Sequence, residues 1–229
     1  MAPGTRSPID RFLIARSRPD LLLLISLLVV ILAHPVLDHG DLRRLVLSIL
    51  TFIPVVLATL RLAEKKHWVV PSVVLMLAAV IFSVLSALIS NRVLLVAKWA
   101  LLAAFFGFAV VGLFSYLRNA GSVAQSHLLT AVSIYLMLAM LWFALYSVID
   151  TAYPGSFQRS NATIVDRESE LLYFSLITLT TIGYGDIVPL TGEARMLSAL
   201  EGVAGVLYVA ITVAILVSAF KRQGTSSPE

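Results

Sequence analysis

The chain has 229 residues, of which 59% are hydrophobic and only 13% charged, a balance that excludes an ordinary soluble domain and places it in the membrane class. Its net charge of +4 comes from short basic clusters between apolar runs, not from a patch, so it orients the chain in a bilayer and does not mark a nucleic-acid site. There is no cysteine, which excludes disulfides, thiol catalysis and cysteine metal sites.

A helix needs ~20 apolar residues to cross the hydrocarbon core. Six stretches meet or approach that length, at roughly 21–37, 45–62, 69–89, 93–117, 128–149 and 196–220. Arg6, Arg11, Arg16 and Arg18 ahead of the first run also fit a secretory signal peptide. Against that, Ile31 stands where a small residue would precede cleavage after Ala33. Residues 1–20 then read as a cytoplasmic tail, 21–117 as a four-helix transmembrane domain, 118–127 as a linker, 128–220 as a second membrane domain and 221–229 as a short cytoplasmic tail. With the N-terminus inside, ten basic residues fall on the inner side, among them Arg61, Lys65, Lys66, Arg118, Lys221 and Arg222, against six outside. That bias predicts a multi-pass protein of the cell membrane with both termini cytoplasmic. The outer loop carries Asn161-Ala162-Thr163, an N-glycosylation acceptor pattern that often arises by chance.

Between the last two spans lies a seventh apolar run, 171–182, too short to cross and leading into glycines and a proline. A short apolar helix followed by irregular backbone fits a re-entrant segment, tolerated at membrane depth only inside protein or beside a water-filled cavity. The run after it, Thr180-Thr181-Ile182-Gly183-Tyr184-Gly185-Asp186, has a definite chemical meaning. Dehydrating a cation takes a ring of oxygens at fixed spacing, and backbone carbonyls supply it if successive residues point them the same way. An ordinary strand alternates its carbonyls, so every second residue must adopt unusual dihedrals, which glycine does at little steric cost. Gly183 and Gly185 have that spacing, Thr181 adds a hydroxyl oxygen at the inner end, and Tyr184 can wedge outward.

Thr-Ile-Gly-Tyr-Gly-Asp resembles the filter signature of the tetrameric potassium channels, with Ile182 where valine is commoner. The resemblance covers about 128–220 and implies a helix, re-entrant pore helix, filter and inner helix, assembled as a homotetramer in membrane lipid. It implies K+ ions held by the carbonyls of Thr181, Ile182, Gly183 and Tyr184, with Gly185 completing the filter, and no other cofactor. Tyr173 and Phe174 match the family's aromatic pair, which packs as a cuff around the filter, and Thr180 and Asp186 flank the filter as its support. Ile177 stands where several bacterial relatives carry a glutamate, so no carboxylate bridge runs from there to Asp186. Gly205 matches a position proposed as a gating hinge; with Gly202 in an alanine-rich stretch, it reads equally as a seat for close helix packing.

Glu201 lies about two turns inside the last span, where a charge is costly. It either accepts hydrogen bonds from pore-helix hydroxyls or carries a proton; structural support is the expectation. The fourth span carries only Lys98, whereas steep voltage gating takes ~3–4 charges per subunit. The function expected is a potassium-selective channel with weak voltage dependence; the alternatives are a non-selective cation channel and an accessory membrane scaffold. No nucleophile–base pair or metal cluster argues for an enzyme, and His34, His39, His67 and His127 all sit at span ends.

Overall fold

The protein is described by a computed structural model over residues 8–36, 41–62, 66–89, 91–118, 125–159 and 166–224. It is all-α and transmembrane in class, apart from one short strand pair. In chain order the elements are α1 (Pro8–Val36), α2 (Asp41–Leu62), α3 (Lys66–Leu88), α4 (Arg92–Arg118), α5 (Gln125–Ala152), β1 (Phe157–Arg159), α6 (Arg167–Leu179), β2 (Ile187–Pro189) and α7 (Gly192–Gly224). Among the described residues, four helical segments are long and apolar enough to cross a membrane: Trp68–Leu88, Arg92–Arg118, Gln125–Ala152 and Gly192–Ser218. The first two expected spans fall on α1 and α2, whose apolar stretches are shorter, Pro19–His34 and Ile49–Leu62.

The helices run past the apolar runs that reveal them. Most of the expected N-terminal tail is helical, because α1 begins at Pro8, and proline's fixed φ suits a first helical turn. Likewise α7 begins at Gly192 and continues to Gly224, into the expected C-terminal tail. The short helix expected ahead of the glycines is shifted most. It was expected over 171–182 but occupies Arg167–Leu179, since Asp166 caps it by accepting the Glu168 N–H at 3.1 Å. Its first turn is polar, carrying Glu168 and Glu170, and hydropathy does not register such a turn. Asn161-Ala162-Thr163, His39, Arg6 and residues 225–229 lie outside the described residues.

One face of α4, marked by Leu102, Phe106, Ala109, Leu113 and Leu117, is buried at helical spacing. It packs most broadly on α5 of the same chain, and α1 lies on α5 as well. The opposite face of α1 leaves Leu22, Ile25 and Leu32 exposed, as a lipid-facing surface requires. Near the end of α2, Asp20 of α1 is buried against Arg61, with Nε to Oδ1 at 2.7 Å and Nη2 to Oδ2 at 3.1 Å. Thr130 of α5 reaches Asp20 at 3.2 Å, and the Arg61 guanidinium sits 4.8 Å from the Tyr116 ring centre of α4. Four helices therefore meet at one ion pair. At the other end, His34 of α1 accepts through its carbonyl a hydrogen bond from Ser169 of α6 at 3.2 Å.

Candidate functional site

The short helix α6 is fixed at both ends. At its N-terminus Arg167 holds Asp150 of α5 through two bonds of 2.8 and 2.5 Å and donates to the Phe157 carbonyl at 3.0 Å. The hydrogen bond to Asp150 raises the Arg167 guanidinium above its ordinary pKa, so the guanidinium stays charged. Strand β1 pairs antiparallel with β2, Phe157 opposite Pro189, which ties the chain after α5 to the segment after the glycines.

A helix end leaves four carbonyls open, and in α6 all four are used. Leu176 accepts from the Thr180 N–H at 3.1 Å and from its hydroxyl at 2.7 Å. Thr178 accepts from Thr181 N–H at 2.9 Å. Ile177 accepts from both Ile182 and Gly183 N–H, at 2.8 and 3.2 Å. Leu179 accepts the Tyr135 hydroxyl of α5 at 3.1 Å. The first half of the glycine motif is thus hung from the helix that precedes it. Thr180, a flanking residue on sequence grounds, is the C-cap of that helix.

Beyond the cap, φ is +60° at Thr181, +54° at Gly183 and +79° at Gly185, while Ile182 and Tyr184 between them keep ordinary values. Every second residue is in the left-handed region. For Thr181, a β-branched residue, that is a rare conformation and marks a position held by its surroundings. Residues 180–185 are all exposed in the single chain, and nothing lies within 4 Å of where a Cβ would stand at Gly183 or Gly185. Dihedral angle, not space, reserves those two positions for glycine. Below this segment a concavity of about 370 Å³ is bounded by Tyr135, Thr180, Thr181, Val206 and Val209.

Tyr173 and Phe174 part company. The Tyr173 hydroxyl donates to Asp186 at 2.8 Å, and Asp186 also accepts the Ile187 N–H at 3.1 Å, so the outer end of the motif is anchored to α6. Loss of solvent and then the Asp186 bond push the Tyr173 hydroxyl up to about 12, keeping it a donor at neutral pH. Phe174 turns the other way, 5.2 Å from Tyr146 and 5.4 Å from Phe157 between ring centres. Within one chain, only Tyr173 of the expected aromatic cuff touches the motif.

Glu201 of α7 is fully buried. Its Oε1 lies 2.6 Å from Ser175 Oγ of α6, and its Oε2 is bonded to the Tyr146 hydroxyl of α5. Three elements converge on one carboxyl group. At Gly205 the α7 backbone sits against the end of α6: a Cβ there would overlap the Leu179 carbonyl oxygen and stand 3.0 Å from its carbon. Lys98 lies over the ring of its neighbour Trp99 at 4.1 Å. No group of three or more His, Asp or Glu side chains with metal-binding geometry occurs among the described residues.

Ser175, Tyr146, Tyr135 and the Arg167–Asp150 clamp were not singled out in the sequence. Part of the signal was there. Tyr135 and Tyr146 are three helical turns apart, hence on one face of α5, and they reach the C-terminal end and the middle of α6. Apolar spans make tyrosines look like filler.

Known proteins resemble part of the chain. A family model described as ion channel matches residues 123–222. Over 53 residues, 23% of the chain, it is 38% identical to a protein of Rhodopseudomonas palustris named as a potassium channel protein. Over 86 residues, 38% of the chain, it is 31% identical to an inward rectifier potassium channel of Paramagnetospirillum magnetotacticum. A mouse voltage-gated potassium channel of subfamily A is 27% identical over 89 residues. The matched parts make up 13%, 25% and 15% of those three proteins. No solved structure matches. Residues 123–222 match the ion-channel family model, and the relatives that resemble part of the chain are named as potassium channels.

Proposed function

We propose that four copies of this chain surround an axis and conduct K+ passively across the cell membrane, with residues 181–185 of each as the selectivity filter. The observation that carries the reading is the alternation of left-handed φ at Thr181, Gly183 and Gly185 along an exposed stretch of backbone. Such alternation turns successive carbonyls to one side. The carbonyls of Thr181, Ile182, Gly183 and Tyr184, with the Thr181 hydroxyl, then replace the hydration shell of the ion. One chain supplies a quarter of a ring, and the other copies cover the exposed filter and the exposed apolar flank of α7, including Leu200, Val203 and Leu207. Six spans per chain leave both termini cytoplasmic, with the filter opening to the outside. Lys98 as the single cation inside the fourth span, between the arginines at the two ends of α4, gives weak voltage dependence.

Purified protein in liposomes tests this. Wild type should pass K+ in preference to Na+, and Gly183→Ala or Gly185→Ala should abolish K+ flux with insertion intact, because Cβ opposes a left-handed φ by ~1–2 kcal/mol per residue. Unchanged selectivity in either variant removes the assignment; passage of both ions by wild type replaces it with a non-selective channel, and no flux with a scaffold.

A further inference from the structure

Behind the pore helix, close oxygen–oxygen contacts fix a proton count. Ser175 Oγ lies 2.6 Å from Glu201 Oε1 and 2.8 Å from the carbonyl oxygen of Ala139 on α5. The Tyr146 hydroxyl contacts Glu201 Oε2. All three oxygen–oxygen contacts are at hydrogen-bonding distance or closer, and each needs a proton between its oxygens, since bare lone pairs that near repel. Ser175 brings one proton and Tyr146 brings one; a carbonyl brings none. An ionised Glu201 would leave three contacts sharing two protons.

We propose that Glu201 is a protonated, neutral carboxylic acid that donates from Oε1 to Ser175 Oγ and acts as a positioning residue for the pore helix. Ser175 is then free to donate to the Ala139 carbonyl, Tyr146 donates to Oε2, and every contact has one proton. The donor chain runs from α7 through α6 to α5 and fixes the helix from which residues 181–183 hang. The surroundings agree with a neutral group. Tyr146 and Tyr135 of α5 and Ser175 of α6 face Glu201, and none is a cation. Ser198, beside Tyr146 on α7, donates to the Ala194 carbonyl at 2.8 Å. No Lys, Arg or His among the described residues pairs with Glu201, and an unpaired buried carboxylate would be strongly disfavoured. Glu201 touches neither the ion nor the filter.

The role at the filter rests on the channel reading; the protonation does not. Infrared spectra of wild type and Glu201→Gln in lipid at neutral pH read it directly. Subtraction should show the loss of one carboxylic-acid carbonyl band per chain and no change in the carboxylate bands. Loss of carboxylate intensity instead overturns the proposal. Gln mimics the neutral acid, its amide donating to Ser175 and accepting from Tyr146, so the melting temperature of the assembly should stay unchanged while Glu201→Ala lowers it. Where both variants assemble, Gln as damaging as Ala also overturns it. If Glu201→Gln does not assemble, Ser175→Ala serves: removing the acceptor should shift the acid band, and an unmoved band counts against donation to Ser175. A protein that shows the band but passes no K+ keeps this proposal and loses the channel reading.

Discussion

Gly202 and Gly205 are one helical turn apart on α7, and replacing each with alanine should move stability in opposite directions. In a helix interior, alanine is favoured over glycine by about 1 kcal/mol. At Gly202 nothing opposes that gain, since the nearest atom to a new Cβ is the Thr178 carbonyl oxygen at 4.0 Å, an ordinary contact. At Gly205 the Cβ would overlap the Leu179 carbonyl oxygen and stand 3.2 Å from Leu179 Cδ1. The obstacle is backbone, so no rotamer change relieves it. Overpacking costs ~1–3 kcal/mol, and moving that carbonyl also disturbs its bond from Tyr135, worth ~0.5–1.5 kcal/mol. After the propensity gain, Gly205→Ala should be destabilising by about 0.5–3.5 kcal/mol, roughly 2- to 300-fold in the assembly equilibrium at tenfold per 1.4 kcal/mol. Thermal dissociation of the purified assembly, followed by size exclusion, reads both variants, with potassium-over-sodium selectivity measured alongside. A freely bending hinge at Gly205 predicts the reverse, a stabilised helix with altered gating. Gly205→Ala as stable as Gly202→Ala would refute the packing argument.

Tyr173→Phe should leave assembly intact while weakening the outer end of the filter, seen as faster current decay and reduced potassium selectivity; unaltered currents would mean that the Asp186 contact carries nothing. Lys98→Gln should leave the slope of a shallow conductance–voltage curve almost unchanged, and a steep curve lost on that substitution would make α4 a voltage sensor. Asp20→Ala or Arg61→Ala should each destabilise the protein by ~3–5 kcal/mol, since each strands a buried charge, and Asp20→Leu with Arg61→Met should recover most of that. A double variant as unstable as the singles would show that the pair is bound into a wider network.

The sequence made the glycine motif legible because its chemistry is local: Gly183 and Gly185 are two residues apart, and the conformation they permit depends on their own backbones. Thr181 shows the limit of that logic. It adopts the same left-handed conformation without glycine's freedom, held between the cap of α6 and Ile182, whose N–H is bound to Ile177. The start of α6 was missed because a capped polar turn has no hydropathy. Arg61 counts only toward sidedness in the sequence and Asp20 draws no notice at the edge of the expected tail, although they form one buried pair across 41 positions of sequence. Glu201 stood out by its cost, but its partners come from two other helices, and which hydroxyls reach it is decided by packing.

The strand pair and the capped helix together leave the outer loop held at two fixed points. Arg159 is bound to Ile187 across the pair, and Asp166 is committed to the first turn of α6. Doubling the length of chain between two such anchors costs only ~0.6 kcal/mol of closure entropy. An epitope or a fluorophore-binding peptide spliced between Arg159 and Asp166 should therefore be carried without disturbing residues 181–186. Antibody or dye added to intact cells would then report the sidedness of that loop, and a tagged chain mixed with an untagged one would let subunits be counted one complex at a time.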